Sequence, residues 1–276
     1  MDIAKLFSLE GKVCVVTGGG GVLGGEIAAG FGAAGGTVAV ADVLVDNANN
    51  VAKAITGGGG TAKGYHLDVF DHASIQACCD AICNDYGHVD VLVNAVGGNM
   101  SAATTRPDLS FFDLAPDALQ KVVDLNLVGG CIAPSQVFLK RMTVQESGGA
   151  VINVSSMNAF RPLTRIPGYS AAKAAVSNFT QWLAVHMAQE YTPNLRVNAI
   201  APGFFLTEQN RFLLTDKETG EPTPRGQSII AHTPMARYGT PADLVGVSVW
   251  LASDAAQFVT GIVVPIDGGF SAFSGV

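Results

Sequence analysis

The sequence predicts an α/β fold: a single-domain doubly wound parallel sheet with helices on both faces. Three observations carry that expectation. Short runs of β-branched and apolar residues recur along the whole chain, continuous rather than alternating, as strands buried on both faces are. Helix-like stretches of ten or more residues separate them, long enough for parallel crossovers. No Pro/Ser-rich linker, charge run or internal repeat divides the 276 residues, so 1–276 reads as one domain.

The elements follow in order. Lys12–Thr17 is the first strand, followed by a glycine loop and a helix over Leu23–Ala34. Thr37–Asp42 is the second strand, and Asn47–Thr56 is helical. Four glycines, 57 to 60, form a turn before a strand over Thr61–Leu67, and Asp71 is the acidic N-cap of a helix running to Tyr86. Val89–Asn94 is the next strand, and Pro116 begins a long helix, since proline suits a first helical turn. Ala150–Ser155 is a strand, Gly168–Tyr191 a long helix, Leu195–Ile200 a strand, Pro241–Ser253 a helix, and Ile262–Ile266 the closing strand. Between about 203 and 240 lies a loop-rich insertion, of a length that usually serves a binding site.

Composition narrows the function classes. With 48% hydrophobic residues, 14% charged residues and a net charge of −7, the chain is too apolar for intrinsic disorder and too acidic for phosphate-backbone binding; no nucleic-acid partner is expected. Its long charge-free runs, such as Ile27–Ala41 and Leu125–Leu139, fall short of the roughly 18 apolar residues of a membrane span, and the N-terminus lacks a signal-type apolar core. A cytoplasmic protein without a membrane partner is expected. The five cysteines (14, 78, 79, 83 and 131) show no metal-ligand spacing and read as small buried hydrophobes; the five histidines form no cluster, and no metal is expected. Glycine, 33 of 276 residues, signals either flexible linkers or many close backbone approaches, and the motifs decide for the second.

The first strand runs directly into Thr17-Gly-Gly-Gly-Gly-Val-Leu-Gly24 and then into a helix. Glycines there let backbone N–H groups approach a pyrophosphate at a helix N-terminus. Asp42 ends the second strand, 18 positions beyond Gly24; a carboxylate at that place accepts ribose hydroxyls and repels a 2′-phosphate, which favours NAD over NADP. Downstream, Tyr169 and Lys173 stand four apart on one helix face, with Ser156 13 residues before the tyrosine. A phenol with an ordinary pKa near 10 is a poor acid or base at neutral pH. A neighbouring ammonium and a positive nicotinamide ring both favour the phenolate and bring proton transfer toward working pH.

With these residues the sequence resembles the short-chain dehydrogenase/reductase family over essentially the whole chain. The resemblance implies a Rossmann fold, NAD as cofactor, action on CH–OH groups, and a homotetramer. It implies that Ser156, Tyr169, Lys173 and Asn126 are catalytic. Ser156 would orient the substrate oxygen, Lys173 would lower the Tyr169 pKa and grip the nicotinamide ribose, and Asn126 would support a water relay. Gly18, Gly21, Val22, Leu23 and Gly24 would hold the phosphates, Asp68 and Val69 the adenine, and Asn94, Ala95 and Gly97 would correspond to the family's Asn-Asn-Ala-Gly. Pro202, Gly203 and Thr207 would bind the carboxamide. Val22 departs from the pattern, standing where the usual loop has glycine; Gly18, Gly21 and Gly24 are spaced by threes, as in the family's extended members.

A narrower likeness, carried by Ser155–Phe160, Asn178–His186, Gly203–Arg211 and the tail from Asp267, is to family members that interconvert a sugar acid and its keto form. It implies a small-molecule sugar-acid substrate. Asn99, Asn158, Gln209, Asn210 and Arg211 lie on loops beyond the strand C-termini, where such folds bind ligands; Arg211 is the candidate for a bidentate carboxylate clamp, with Arg161 and Arg165 as rivals. His232, in the same insertion, reads as a satisfied loop histidine rather than a catalyst. The competing functions are turnover of another polyol or keto acid (gluconate, sorbitol or a 3-ketoacyl thioester) and a dinucleotide-binding regulator without turnover.

Overall fold

The computed structural model describes residues 2–207, 211–216 and 219–275. Seven strands, β1 (Val13–Thr17), β2 (Thr37–Asp42), β3 (Thr61–His66), β4 (Val91–Asn94), β5 (Gly149–Val154), β6 (Leu195–Pro202) and β7 (Val263–Ile266), form one sheet in the order β3-β2-β1-β4-β5-β6-β7. Every neighbouring pair is parallel. The order reverses between β1 and β4, and in such sheets ligands bind in the crevice that opens beyond the strand C-termini at that reversal. Helix α1 (Val22–Ala33), α2 (Val45–Gly57) and α3 (His72–Tyr86) alternate with the first strands; α4 (Pro116–Met142) and α5 (Pro167–Glu190) flank β5; α6 (Pro224–Ala231) and α7 (Val245–Ala252) precede β7.

The continuous apolar strands follow from this two-sided burial. All five residues of β1 are buried, with Val13 and Val15 facing a core shared with α3, α4 and α5, and Cys14 and Val16 facing one shared with α1, α2 and α7. Proline cannot donate to a central ladder, and accordingly Pro265 lies in the edge strand β7 and Pro202 at the very end of β6. Asp71 caps α3 by accepting from the Ala73 N–H at 2.9 Å, and Gly87 ends it at φ +85°, a left-handed turn that favours glycine. The cysteines are free, and burial pushes the Cys78 and Cys131 thiols up to about 12, consistent with inert packing residues.

Three local features differ from the sequence expectation. Helix α4 is not uniform: Asp124–Ile132 is wound as a π-helix between two α-helical ends. Gly129 and Gly130 let this wide segment approach backbone carbonyls, because a Cβ on either would stand 2.8 Å from the Val69 oxygen or 2.7 Å from that of Val96. The same helix has the length and hydropathy (1.5) of a membrane span, yet over half of that window is buried inside the fold against α3, α5 and β4, which makes it a core helix. Finally, the 203–240 insertion is not all loop. It carries a helical turn, Arg211–Leu214, and the full helix α6, the two packed together and tied to the body where Met235 donates to the Gly268 carbonyl at 3.1 Å.

Candidate active site

The strand C-termini open into a cleft of about 1150 Å³. One end is built by the β1–α1 turn. Gly18 adopts φ +65°, and a Cβ on Gly24 would collide with the Gly18 carbonyl, so the turn closes only with glycine at both places. Gly21 is the N-cap of α1 and, having no side chain, makes no cap hydrogen bond; the first-turn N–H groups keep their capacity for an anion. Val22 is the first residue of α1, 41% exposed, so the missing glycine is accommodated by turning the side chain outward. Gly18, Gly21, Val22, Leu23 and Gly24 all line the cleft.

Asp42, at the end of β2, faces this turn. Its Oδ2 accepts from the Gly20 N–H at 3.0 Å and its Oδ1 from the Leu44 N–H at 2.9 Å. A Cβ on Gly20 would stand 3.0 Å from that carboxylate, so glycine is what brings the loop onto the acid. Both oxygens retain lone pairs toward the cleft, beside Asp68, Val69 and the exposed Phe70. A backbone cradle at a helix N-terminus next to a fixed carboxylate fits the phosphates and ribose of a dinucleotide.

The opposite end gathers the chemistry. Ser156 follows β5, buried, and its Oγ accepts from the Asn158 N–H at 3.3 Å. Tyr169 and Lys173 lie one turn apart near the start of α5, with the Lys173 Nζ 5.7 Å from the centre of the Tyr169 ring. The Lys173 ammonium is buried and donates to the Val154 carbonyl at 2.7 Å. Burial lowers its pKa to about 8. Burial also pushes the Tyr169 phenol up, and the hydrogen bond with Ser156 opposes that rise. In the protein by itself, then, Ser156 rather than Lys173 is the group drawing the phenol down.

Asn126 lies in the π segment of α4, and the loosened winding turns its amide toward the loop after β4. Its Nδ2 donates to the carbonyls of Gly98 and Val122, both at 2.7 Å, and its Oδ1 accepts from the Gly98 N–H at 3.0 Å. Gly97 explains the glycine next door: a Cβ there would stand 2.7 Å from the Asn126 Oδ1 and 2.9 Å from the Lys173 Nζ. The bare α-carbon is what lets the Asn126 amide and the Lys173 ammonium close in on this loop together.

The remaining sequence-selected residues divide. Ala95, Gly97, Asn99, Asn158, Gly203 and Thr207 line the cleft with Ser156 and Tyr169. Asn94 does not; its amide points into the core and donates to the Ser135 Oγ and the Asn153 Oδ1, each at 2.9 Å, cross-linking β4, α4 and β5. Pro202 is buried at the end of β6, outside the lining, and shapes the approach through Gly203. Arg211 and Arg161 are exposed and lie outside the lining, whereas Arg165 is part of it. Gln209 and Asn210 lie outside the described residues. His232 donates from Nδ1 to the Ser228 carbonyl, 2.8 Å away, as a satisfied loop histidine does. The spacing argument missed Arg106 and Arg225, which also line the cleft; neither belongs to a motif, and only the folding of their loops shows them.

The family model described as enoyl-(acyl carrier protein) reductase matches residues 21–271. An uncharacterized oxidoreductase of Bacillus subtilis is 45% identical over 278 residues, covering 98% of each chain. A crystal structure with NAD bound, of a Haemophilus influenzae protein provisionally described as a D-mannonate oxidoreductase, superposes with a TM-score of 0.91 at 43% identity and 100% coverage of both chains. The 2-dehydro-3-deoxy-D-gluconate 5-dehydrogenase of Escherichia coli is 32% identical over 270 residues, 98% of this chain and 99% of that one. The chain belongs to the short-chain dehydrogenase/reductase family.

Proposed function

On the premise of that membership, we propose that the protein is an NAD-dependent oxidoreductase that interconverts a secondary alcohol and a ketone of a sugar acid, D-mannonate and D-fructuronate being the favoured pair. The observation that carries the chemistry is that Ser156 and Tyr169 line one end of a cleft whose other end fits a dinucleotide, with Lys173 and Asn126 buried next to them around Gly97. The relative with bound NAD supports the cofactor and, through its description, D-mannonate as the alcohol. The E. coli relative favours a second reading, a gluconate-type keto acid in the same site.

NAD bound in the cleft would supply or accept the hydride. The chain's own residues do the rest. The Ser156 hydroxyl holds the substrate oxygen beside the Tyr169 Oη. In reduction Tyr169 gives its proton to the ketone oxygen as that oxygen gains charge; in oxidation the phenolate takes the alcohol proton. Lys173, about 90% protonated at pH 7 with a pKa of about 8, steadies the phenolate with its charge. A water between Lys173 and Asn126 returns the proton from solvent.

The test is NADH oxidation with D-fructuronate, then with the keto acid of the gluconate series. Turnover of fructuronate at least tenfold more efficient by kcat/KM supports the first reading; the reverse order supports the second. Cofactor choice is read separately. NADH should bind tighter than NADPH, and Asp42→Ala should weaken NADH binding about tenfold or more while relieving the barrier to NADPH, since hydrogen bonds to a charged group are worth about 1.5–3 kcal/mol. Fluorescence titration measures both, and tighter NADPH binding by the unaltered protein would refute the role of Asp42. A homotetramer is part of the same proposal, supported by the exposed apolar face that Trp182, Val185 and Tyr191 present along and just beyond α5; a monomeric mass in solution would exclude it.

A further inference from the structure

Two arginines that line the cleft have no partner among the described residues. Arg165 and Arg225 both line it and both are exposed, and among the described residues neither guanidinium makes a hydrogen bond or ion pair. Arg106, nearby, is different: its Nε donates to Asp108 at 2.8 Å and its Nη1 to the Ser101 carbonyl at 3.1 Å, so its charge is already answered.

Arg165 has a second peculiarity. Its φ is +77°, a left-handed backbone that glycine adopts freely and arginine does not. The turn is held there because the Arg165 carbonyl accepts from the Thr105 N–H at 2.8 Å, locking the segment before α5 to the loop after β4. Four residues later the same segment carries Tyr169, so the guanidinium is positioned by the wall that positions the acid–base group. Arg225 comes from elsewhere, the first turn of α6 in the insertion. Two uncompensated cations from separate walls suit one anionic group between them, and a planar carboxylate accepts from guanidinium forks.

We propose that Arg165 and Arg225 jointly hold the substrate carboxylate, Arg165 fixing its distance from Tyr169 and Arg225 coupling the insertion to the occupied site. The assignment extends the sugar-acid reading and depends on it for the anion's identity. It displaces the clamp from Arg211 to residues that face the cleft. The backbone of Arg165 also yields a useful variant: Arg165→Gly removes the guanidinium and suits the left-handed turn, and an unchanged melting temperature then separates the lost charge from a fold defect.

The experiment measures D-mannonate and neutral D-mannitol binding to the NADH-loaded protein by calorimetry, with mannonate oxidation kinetics alongside. Arg165→Gly and Arg225→Gln should each weaken mannonate binding and raise its KM by about 10- to 100-fold, with a much smaller fall in kcat and no loss of melting temperature in Arg165→Gly. The double variant should lose less than the product of the two, because both act on one carboxylate. Mannonate that binds both single variants as tightly as the parent would overturn the clamp and leave the oxidoreductase reading standing. Binding weakened in both variants without turnover by the parent would keep the clamp and remove the mannonate reaction. Failure of the parent to prefer mannonate over mannitol would remove both.

Discussion

Tyr169→Phe is expected to lower kcat by about a thousandfold or more in both directions while leaving the NADH dissociation constant within about twofold. The substitution deletes one oxygen. The ring itself packs on the cluster of Ala103, Ala118 and Val122, and phenylalanine keeps that packing, so stability should change little. What disappears is the hydroxyl that, in the proposed mechanism, exchanges a proton with the substrate oxygen while Ser156 holds it. Ser156 cannot substitute, because a hydroxyl without a base beside it is far too weak an acid or base at neutral pH. In the parent enzyme, burial holds the phenol above its ordinary value and Ser156 pulls against it. Oxidation, which needs the phenolate, should therefore accelerate as pH rises, and reduction, which needs the phenol, should slow at the alkaline end. Both limbs should vanish from the residual activity of Tyr169→Phe. Steady-state kinetics against pH decides the matter, and a variant retaining a tenth of the parent rate would remove Tyr169 from the proton-transfer role.

Most of the fold is legible in the sequence because its evidence is local. A buried parallel strand is a continuous apolar run, and an amphipathic pair four residues apart shares a helix face wherever the helix lies. The glycine loop, Asp42, and the Tyr169–Lys173 pair are of this kind; the structure puts the loop, Asp42 and Tyr169 on the cleft and Lys173, buried, beside the Tyr169 ring. Side-chain direction at a strand end is a different problem. Asn94 and Ala95 are neighbours, and alternation sends one into the core and the next into the cleft, so a motif match alone assigns both to the ligand. The π segment around Asn126 has no period of its own; Gly129 and Gly130 hint at it only once the carbonyls they approach are known. The arginines are hardest. Arg211 and Arg225 lie in one insertion without a core-facing stripe, and only the path of the chain turns one of them toward the cleft.

Lys173→Met separates a catalytic charge from a structural one. The ammonium is buried with a single hydrogen bond, to the Val154 carbonyl, and burial lowers its pKa from 10.5 to about 8. That depression corresponds to about 3 kcal/mol of disfavoured charge in the folded state. The unfolded chain binds the proton more tightly, so the penalty is fully present below pH 8 and is relieved as pH rises from about 8 to 10.5. Methionine has similar length and no charge to bury; against that gain stands the Val154 carbonyl left without its donor, a cost of about 1–3 kcal/mol. At pH 7 the variant should melt no lower than the parent, and the parent should gain on it between pH 8 and 10. Turnover should move oppositely, falling about a hundredfold or more at pH 7, because in the proposed mechanism the phenolate loses a neighbouring cation and the water relay loses an end. A melting temperature several degrees below the parent at pH 7 would mean that Lys173 is retained for the fold. A variant as active as the parent would mean that Ser156 and the bound cofactor steady the phenolate without it.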